Sequence, residues 1–184
     1  MADFFSFAGC APIVATHEDA RATPVEPLAA VSVTVWPGRT PELDLPAPGR
    51  WTTIENIVAV WLGPNHYAFQ REGTAPLFPD VERLLGDAAA LIDVTDARAT
   101  LRLAGPAARD ILAGLLPIDL HPRAFAPGHA ATTVAAHLTV QVRQLAAESY
   151  ELSVGRSFAG SLWRALELTG AGRLSLQPSG QGAI

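Results

Sequence analysis

The stretch IDVTDARATLR, residues 92–102, packs two carboxylates, Asp93 and Asp96, and two guanidinium groups, Arg98 and Arg102, into eleven residues, and Arg109 follows. Such a group could grip a polar ligand, because arginine forks hold carboxylates through paired, charge-assisted hydrogen bonds. The structural alternative is that Asp93 or Asp96 caps a turn through local backbone amides and pairs with Arg98, a common role for aspartate at strand ends. Charges without a pocket-defining motif favour that second role.

Other chemistry is sparse. LRLAGPAARDIL (101–112) runs from a strand through Gly105-Pro106 into a helix, which is where a phosphate-holding loop would stand. Such a loop needs several glycines and backbone amides aimed at the anion. One glycine followed by a proline does not supply them, and Pro106 fits the first helical position instead. His121, His129 and His137 fall eight residues apart but in three different contexts, without HExxH or a Cys/His cluster, so no metal site is expected. Cys10 lies in an apolar stretch that promises neither a positioned histidine nor a depressed pKa. No catalytic residue, cofactor-binding residue or metal ligand is therefore assigned. Trp36, Trp51, Trp61 and Trp163 stand among apolar neighbours, as core or interface residues do.

The elements that must position these residues follow from periodicity. LAAVSVTVW (28–36) alternates as a half-buried strand, and PGRTPELDLPAPGR after it is too rich in proline and glycine for a regular element. IENIVAVWL (54–62) is apolar on both faces from Ile57 onward, and GPNH turns it into YAFQR as a hairpin. DVERLLGD (80–87) predicts a short helix with Asp80 as N-cap and Gly86 as stop. ALIDVTD and ATLRLA are two more strands, followed by a helix that ends at Leu116. HAATTVAAHLTVQVRQL breaks near Ala136-His137 into two strands, and SYELSV pairs with the second. Ser157 can cap a last helix in which Phe158, Leu162, Ala165 and Leu166 share a face, with Trp163 on its rim. Trp163, Phe158 and Arg109 are the interface candidates.

Hairpins with few helices predict an α+β protein in which helices pack on an antiparallel sheet. The division is an N-terminal, partly ordered arm over 1–27, a single domain over 28–168 and a flexible tail over 169–184. The 184 residues can bury a substantial core. Only 17% are charged against 49% hydrophobic, which leaves apolar surface to face a partner. All 13 cationic residues are arginines scattered along a chain of net charge −5, so nucleic acid is not an expected ligand. One cysteine excludes an internal disulfide and suits a reducing compartment. FAGC faintly resembles a lipoprotein cleavage site, but Asp3 stands where a signal peptide carries positive charge. With no run long enough to span a membrane, the expected location is the cytoplasm.

WLGPNHYAF, GDAAALIDVTDARATLRLAGPAARDIL, PIDLHPRAFAPGHAATT and YELSVGRSFAGSLWRALE, in that order, resemble the gamma-subunit family of heterotetrameric sarcosine oxidases over about residues 28–168. DVTDARATLRLAGPAARDIL is also similar to the wider aminomethyltransferase and folate-binding group, while DLHPRAFAPG is the more specific mark. The resemblance implies a ferredoxin-like or folate-binding-domain-like fold, built of two related halves. It implies a non-catalytic subunit beside alpha, flavin-carrying beta and zinc-binding delta subunits, with alpha in direct contact. That assembly demethylates sarcosine to glycine, passes the one-carbon unit to tetrahydrofolate and electrons to oxygen, and holds FAD, FMN, NAD, tetrahydrofolate and zinc in the partner subunits.

Two departures stand out. Relatives carry an additional helix between the first strand and LPAPGR, where this chain has only GRTPELD. Aminomethyltransferases carry an acidic pair where this chain reads AAHLTVQV, without a carboxylate. The alternative function is a free-standing folate or one-carbon binding module, with Arg98, Arg102 or Arg156 meeting the ligand's carboxylates.

Overall fold

A computed structural model describes residues 19–25, 28–170 and the backbone of 174–176. The first half contains β1 (Ala20–Pro24), β2 (Leu28–Val35), β3 (Trp51–Ile54), β4 (Ile57–Gly63), β5 (His66–Glu72), α1 (Phe78–Leu85) and β6 (Ala89–Asp93). The second contains β7 (Arg98–Ala104), α2 (Ala108–Leu115), β8 (Ala130–Ala135), β9 (Leu138–Ala146), β10 (Ser149–Gly155), α3 (Ala159–Thr169) and β11 (Leu174–Leu176). The strands form a six-stranded sheet, β11-β1-β7-β10-β9-β8, and a five-stranded sheet, β3-β4-β5-β2-β6. Every pairing is antiparallel except β1 with β11. The α+β class and the two-halved organisation are as expected.

Each sheet follows the two-residue period of a strand and turns its apolar side chains to its own helices. Leu101 and Leu103 of β7, Val140 and Val142 of β9, and Leu152 and Val154 of β10 pack with Ile111 and Leu112 of α2 and Leu162 and Leu166 of α3. In the five-stranded sheet Val31 and Val33, Ile57 and Ala59, and Phe69 pack with Val81 and Leu85 of α1. The intervening residues, Ser32, Ala68 and Gln70 from one sheet and Thr100, Gln141 and Ser153 from the other, line common cavities between the sheets. The molecule is thus layered helix, sheet, sheet, helix.

Several boundaries differ from expectation. Ala20–Pro24, placed in the arm, is a strand whose Ala20 and Ala22 are buried in the larger core. Alanine is a weak marker of burial, and so the segment lacked a visible hydrophobic period. Leu174–Leu176, placed in the tail, pairs with β1. The domain therefore extends beyond 28–168 at both ends, while residues 1–18 and 177–184 of the arm and tail, Cys10 among them, lie outside the described residues. The run 54–62, expected as one element, is broken at Glu55-Asn56, where Ile54 ends the unexpected strand β3 and Ile57 opens β4.

Helix starts also shift. Leu77 is the N-cap of α1, and Asp80 sits in the first turn, where it takes an ion pair from Arg71 at 2.6 Å. Ser157 lies in a 3-10 turn before α3 and caps nothing. Pro106 precedes the N-cap residue Ala107 and does not open α2. Among the described residues no helix is long and apolar enough to cross a membrane.

The Gly-Pro turn has a steric cause. Gly105 adopts φ +128°, and a Cβ there would stand 2.5 Å from the carbonyl oxygen of Asp19, so the crossing of β1 requires glycine. The amides a phosphate would need are taken: Gly105 N–H donates to Glu148 O and Ala107 N–H to Asp19 O, both at 2.9 Å.

Candidate functional site

The strands of the two sheets place polar side chains between them, and there the molecule concentrates its buried charge. Glu151 on β10 is 2% exposed and is clasped by two arginines. Arg102 of β7 reaches it through Nη2 at 2.6 Å, and Arg143 of β9 through Nε at 2.8 Å and through Nη2. Arg102 also bonds Glu72 of β5 at 2.7 Å, which ties the sheets together. Burial opposes the charge on Arg102, but its hydrogen bonds to Glu151 and Glu72 outweigh that and raise its pKa. Arg143 stacks over Trp51 at 5.1 Å, and the Trp51 indole N–H donates to Gln144 O at 2.9 Å. A carboxylate so enclosed must be fully paired to be tolerated, and two guanidinium groups accomplish this.

Beside this cluster the sheets separate around a cavity of about 200 Å³. Ser32 of β2 and His66 and Gln70 of β5 form one wall, and Arg98 of β7 and Gln141 of β9 form the other. The Ser32 hydroxyl and His66 Nε2 are 3.1 Å apart. Arg98 donates from Nε to Ser153 Oγ at 2.9 Å and from Nη2 to Ser153 O at 2.7 Å. Its pKa is lowered by burial, and the group nevertheless stays protonated over any practical pH range. Among the described residues no carboxylate pairs with Arg98. Toward Thr100 and Arg143 the gap narrows to about 10 Å³, room for no more than a single water.

The ligand candidates Arg98, Arg102 and Arg156 do not converge. Arg98 lines the cavity, Arg102 belongs to the ion cluster, and Arg156 lies 3.9 Å from Asp96 on the surface. The expected pairing of an aspartate with Arg98 is replaced by the Ser153 contacts, while Asp93 does cap its turn, accepting the Thr95 N–H at 3.0 Å. That hydrogen bond holds the Asp93 carboxyl below its usual range.

Two interface candidates are internal. Trp163 is 4% exposed within the larger core, so its ring cannot present surface to another chain. Arg109 spends its guanidinium on Leu120 O, on Phe125 O at 3.4 Å and on Ala147 O at 3.1 Å, and lies 5.6 Å from the Tyr150 ring. It thereby pins DLHPRAFAPG, residues 119–128, onto α2. Phe158 is 50% exposed and remains open to contact.

The three spaced histidines also stay apart. His129 Nδ1 lies 3.0 Å from Arg50 Nη1, His121 Nδ1 accepts the Arg123 N–H at 3.2 Å, and His137 occupies the β8–β9 turn with φ 69°. Among the described residues no three His, Cys, Asp or Glu stand where they could hold a metal ion.

Sequence reasoning missed Ser32, His66, Gln70 and Gln141. Each occupies the polar position of an alternating strand, which looks solvent-facing until a second sheet covers it. At about 200 Å³ the cavity is smaller than the roughly 300–1,000 Å³ that drug-sized ligands usually occupy.

The family of the GCVT N-terminal domain matches residues 51–184. The chain is 35% identical over 108 residues to a sarcosine oxidase subunit gamma of Corynebacterium sp. (strain P-1), covering 58% of this chain and 53% of the relative. It is 35% identical over 97 residues to a protein of the same name from Arthrobacter sp, covering 52% and 48%. The chain thus spans about half the length of the curated relatives it matches.

In three dimensions it is similar to a chain of the heterotetrameric sarcosine oxidase from Corynebacterium sp. U-96 in complex with pyrrole 2-carboxylate. The TM-score is 0.75 and the identity 26%, covering 85% of this chain and 86% of that one. The glycine cleavage system aminomethyltransferase T from Bartonella henselae shares the fold, with TM-score 0.62 and 16% identity, covering 88% of this chain and 48% of that one.

Proposed function

We propose that this chain, which belongs to the GCVT N-terminal domain family, serves as the gamma-type subunit of a sarcosine-oxidase-like flavoenzyme assembly. The observation that carries this reading is the likeness to a chain of a heterotetrameric sarcosine oxidase, which extends over 85% of this chain and 86% of that one. The named gamma-subunit relatives point the same way. In this proposal the alpha subunit is the direct neighbour, with beta and delta subunits completing the assembly in the cytoplasm. FAD, FMN, NAD, tetrahydrofolate and zinc reside in the partners, and sarcosine is demethylated there. The role of this chain is to support the assembly.

Two features of the chain agree with such a role. Its Arg102–Glu151–Arg143 cluster, with Glu72, joins its own two sheets. Phe158 and Leu168, 50% and 65% exposed, leave apolar area beside and on α3 for another protein to cover.

Affinity purification of the tagged chain from its native cells, followed by mass spectrometry, tests the proposal. Flavin-carrying subunits in stoichiometric yield are expected, and a chain recovered alone would overturn it. Phe158→Glu should reduce the yield of partners without unfolding the chain, since that ring makes little of the core. If partner yield is unchanged, Phe158 is not at the interface.

A further inference from the structure

We propose that the cavity between the two sheets binds a short monocarboxylate whose second polar group is uncharged, such as a 2-hydroxy acid. The inference goes beyond the subunit reading and does not depend on it.

Polar side chains stand on both walls of the cavity, set among the apolar Ala30, Leu62, Ala68, Val94 and Ala97. Arg98 is fixed through Nε and Nη2 to Ser153, so the orientation of its guanidinium is set before any ligand arrives. Among the described residues no carboxylate pairs with that charge, and the side chain is half-buried. A partly desolvated cation without a counter-charge favours an anion beside it.

The charge of the ligand follows from the lining. Among the described residues Arg98 is the one arginine bordering the cavity, and this favours a monoanion over a phosphate dianion. No Asp or Glu among the described residues lines it, so an ammonium group would find no counter-charge and amino acids are disfavoured.

Ligand polarity and size follow as well. Gln70 is 4% exposed, and its amide, like that of Gln141, makes no side-chain hydrogen bond among the described residues. An amide can donate and accept, which suits a neutral hydroxyl. Ser32, already aligned on His66 at 3.1 Å, offers a further hydroxyl on the same wall. About 200 Å³ holds a small organic acid but lies below the volume that drug-sized ligands occupy.

Titration of the full chain with L-lactate, glycine and inorganic phosphate, by calorimetry or ligand-observed NMR, decides the matter. Lactate should bind saturably, with glycine and phosphate weaker by about tenfold or more. Arg98→Gln should weaken lactate by about tenfold or more.

Because Arg98 also braces β10, Gln141→Leu provides a second variant that leaves the Ser153 bonds in place. It should weaken lactate several-fold while the thermal midpoint of the free chain holds. The inference is overturned if lactate fails to saturate, if glycine or phosphate binds as well, or if both variants bind lactate as the parent does. A chain that binds lactate but purifies without partners would refute the subunit reading and leave this inference standing.

Discussion

Glu151 and Leu152 are neighbours on β10 and both are fully enclosed, yet they face opposite ways into different kinds of interior. Leu152 points to the helices, where packing is apolar and insensitive to the identity of any one partner. Glu151 points to the other sheet, where two guanidinium groups hold it and where removing any member leaves a charge behind. One strand thus separates a core organised by volume from a layer organised by pairing.

Mutation can break this comparison. Glu151→Ala strands Arg143 in the layer, while Arg102 keeps Glu72, and should cost about 3–5 kcal/mol, read as a drop in denaturation midpoint. Leu152→Ala should cost about 2–4 kcal/mol through the cavity it opens. The two should also differ in kind. Adding salt should change the Glu151→Ala loss, because it exposes charges to screening, and leave the Leu152→Ala loss nearly untouched. Equal salt dependence would mean that the polar layer is not a distinct environment.

Smaller changes sharpen the same contrast at the edges. Ala136 and His137 turn β8 into β9 with φ 47° and 69°, a conformation that Asn-Gly adopts more readily. Ala136→Asn with His137→Gly should add about 1 kcal/mol, visible as a rise in thermal midpoint.

The smallest effect belongs to Asp93, an exposed cap whose carboxyl is held low by the Thr95 amide. Its contribution is present above the unfolded-state carboxyl pKa and is lost as pH falls through the depressed folded value. Asp93→Asn should therefore narrow the stability difference between neutral and acid pH slightly, as acid titration of the two proteins would reveal.

The helix-facing half of the molecule was legible in the sequence because apolar alternation reports burial directly. Leu101, Leu103, Val140 and Val142 announce their strands, and Leu162 and Leu166 announce the last helix. The inter-sheet half was not legible. Ser32, Gln70, Gln141 and Ser153 alternate with apolar residues in the way solvent-facing positions do, and nothing local distinguishes water from a second sheet.

Trp163 shows the opposite error, since a bulky ring at the edge of an apolar stripe is as compatible with the core as with a partner. Arg98, read in the sequence as a partner for a nearby aspartate or a ligand, bonds Ser153 instead, because that partner comes from a strand about fifty residues away in sequence.

The proposed place of this chain in a flavoenzyme assembly is tested most directly by sedimentation velocity of the protein purified from its native cells. One boundary much heavier than the 19.4 kDa chain is expected, with flavin absorbance moving together with the protein. A boundary at the mass of the chain or of its own oligomers, free of flavin absorbance, would contradict it.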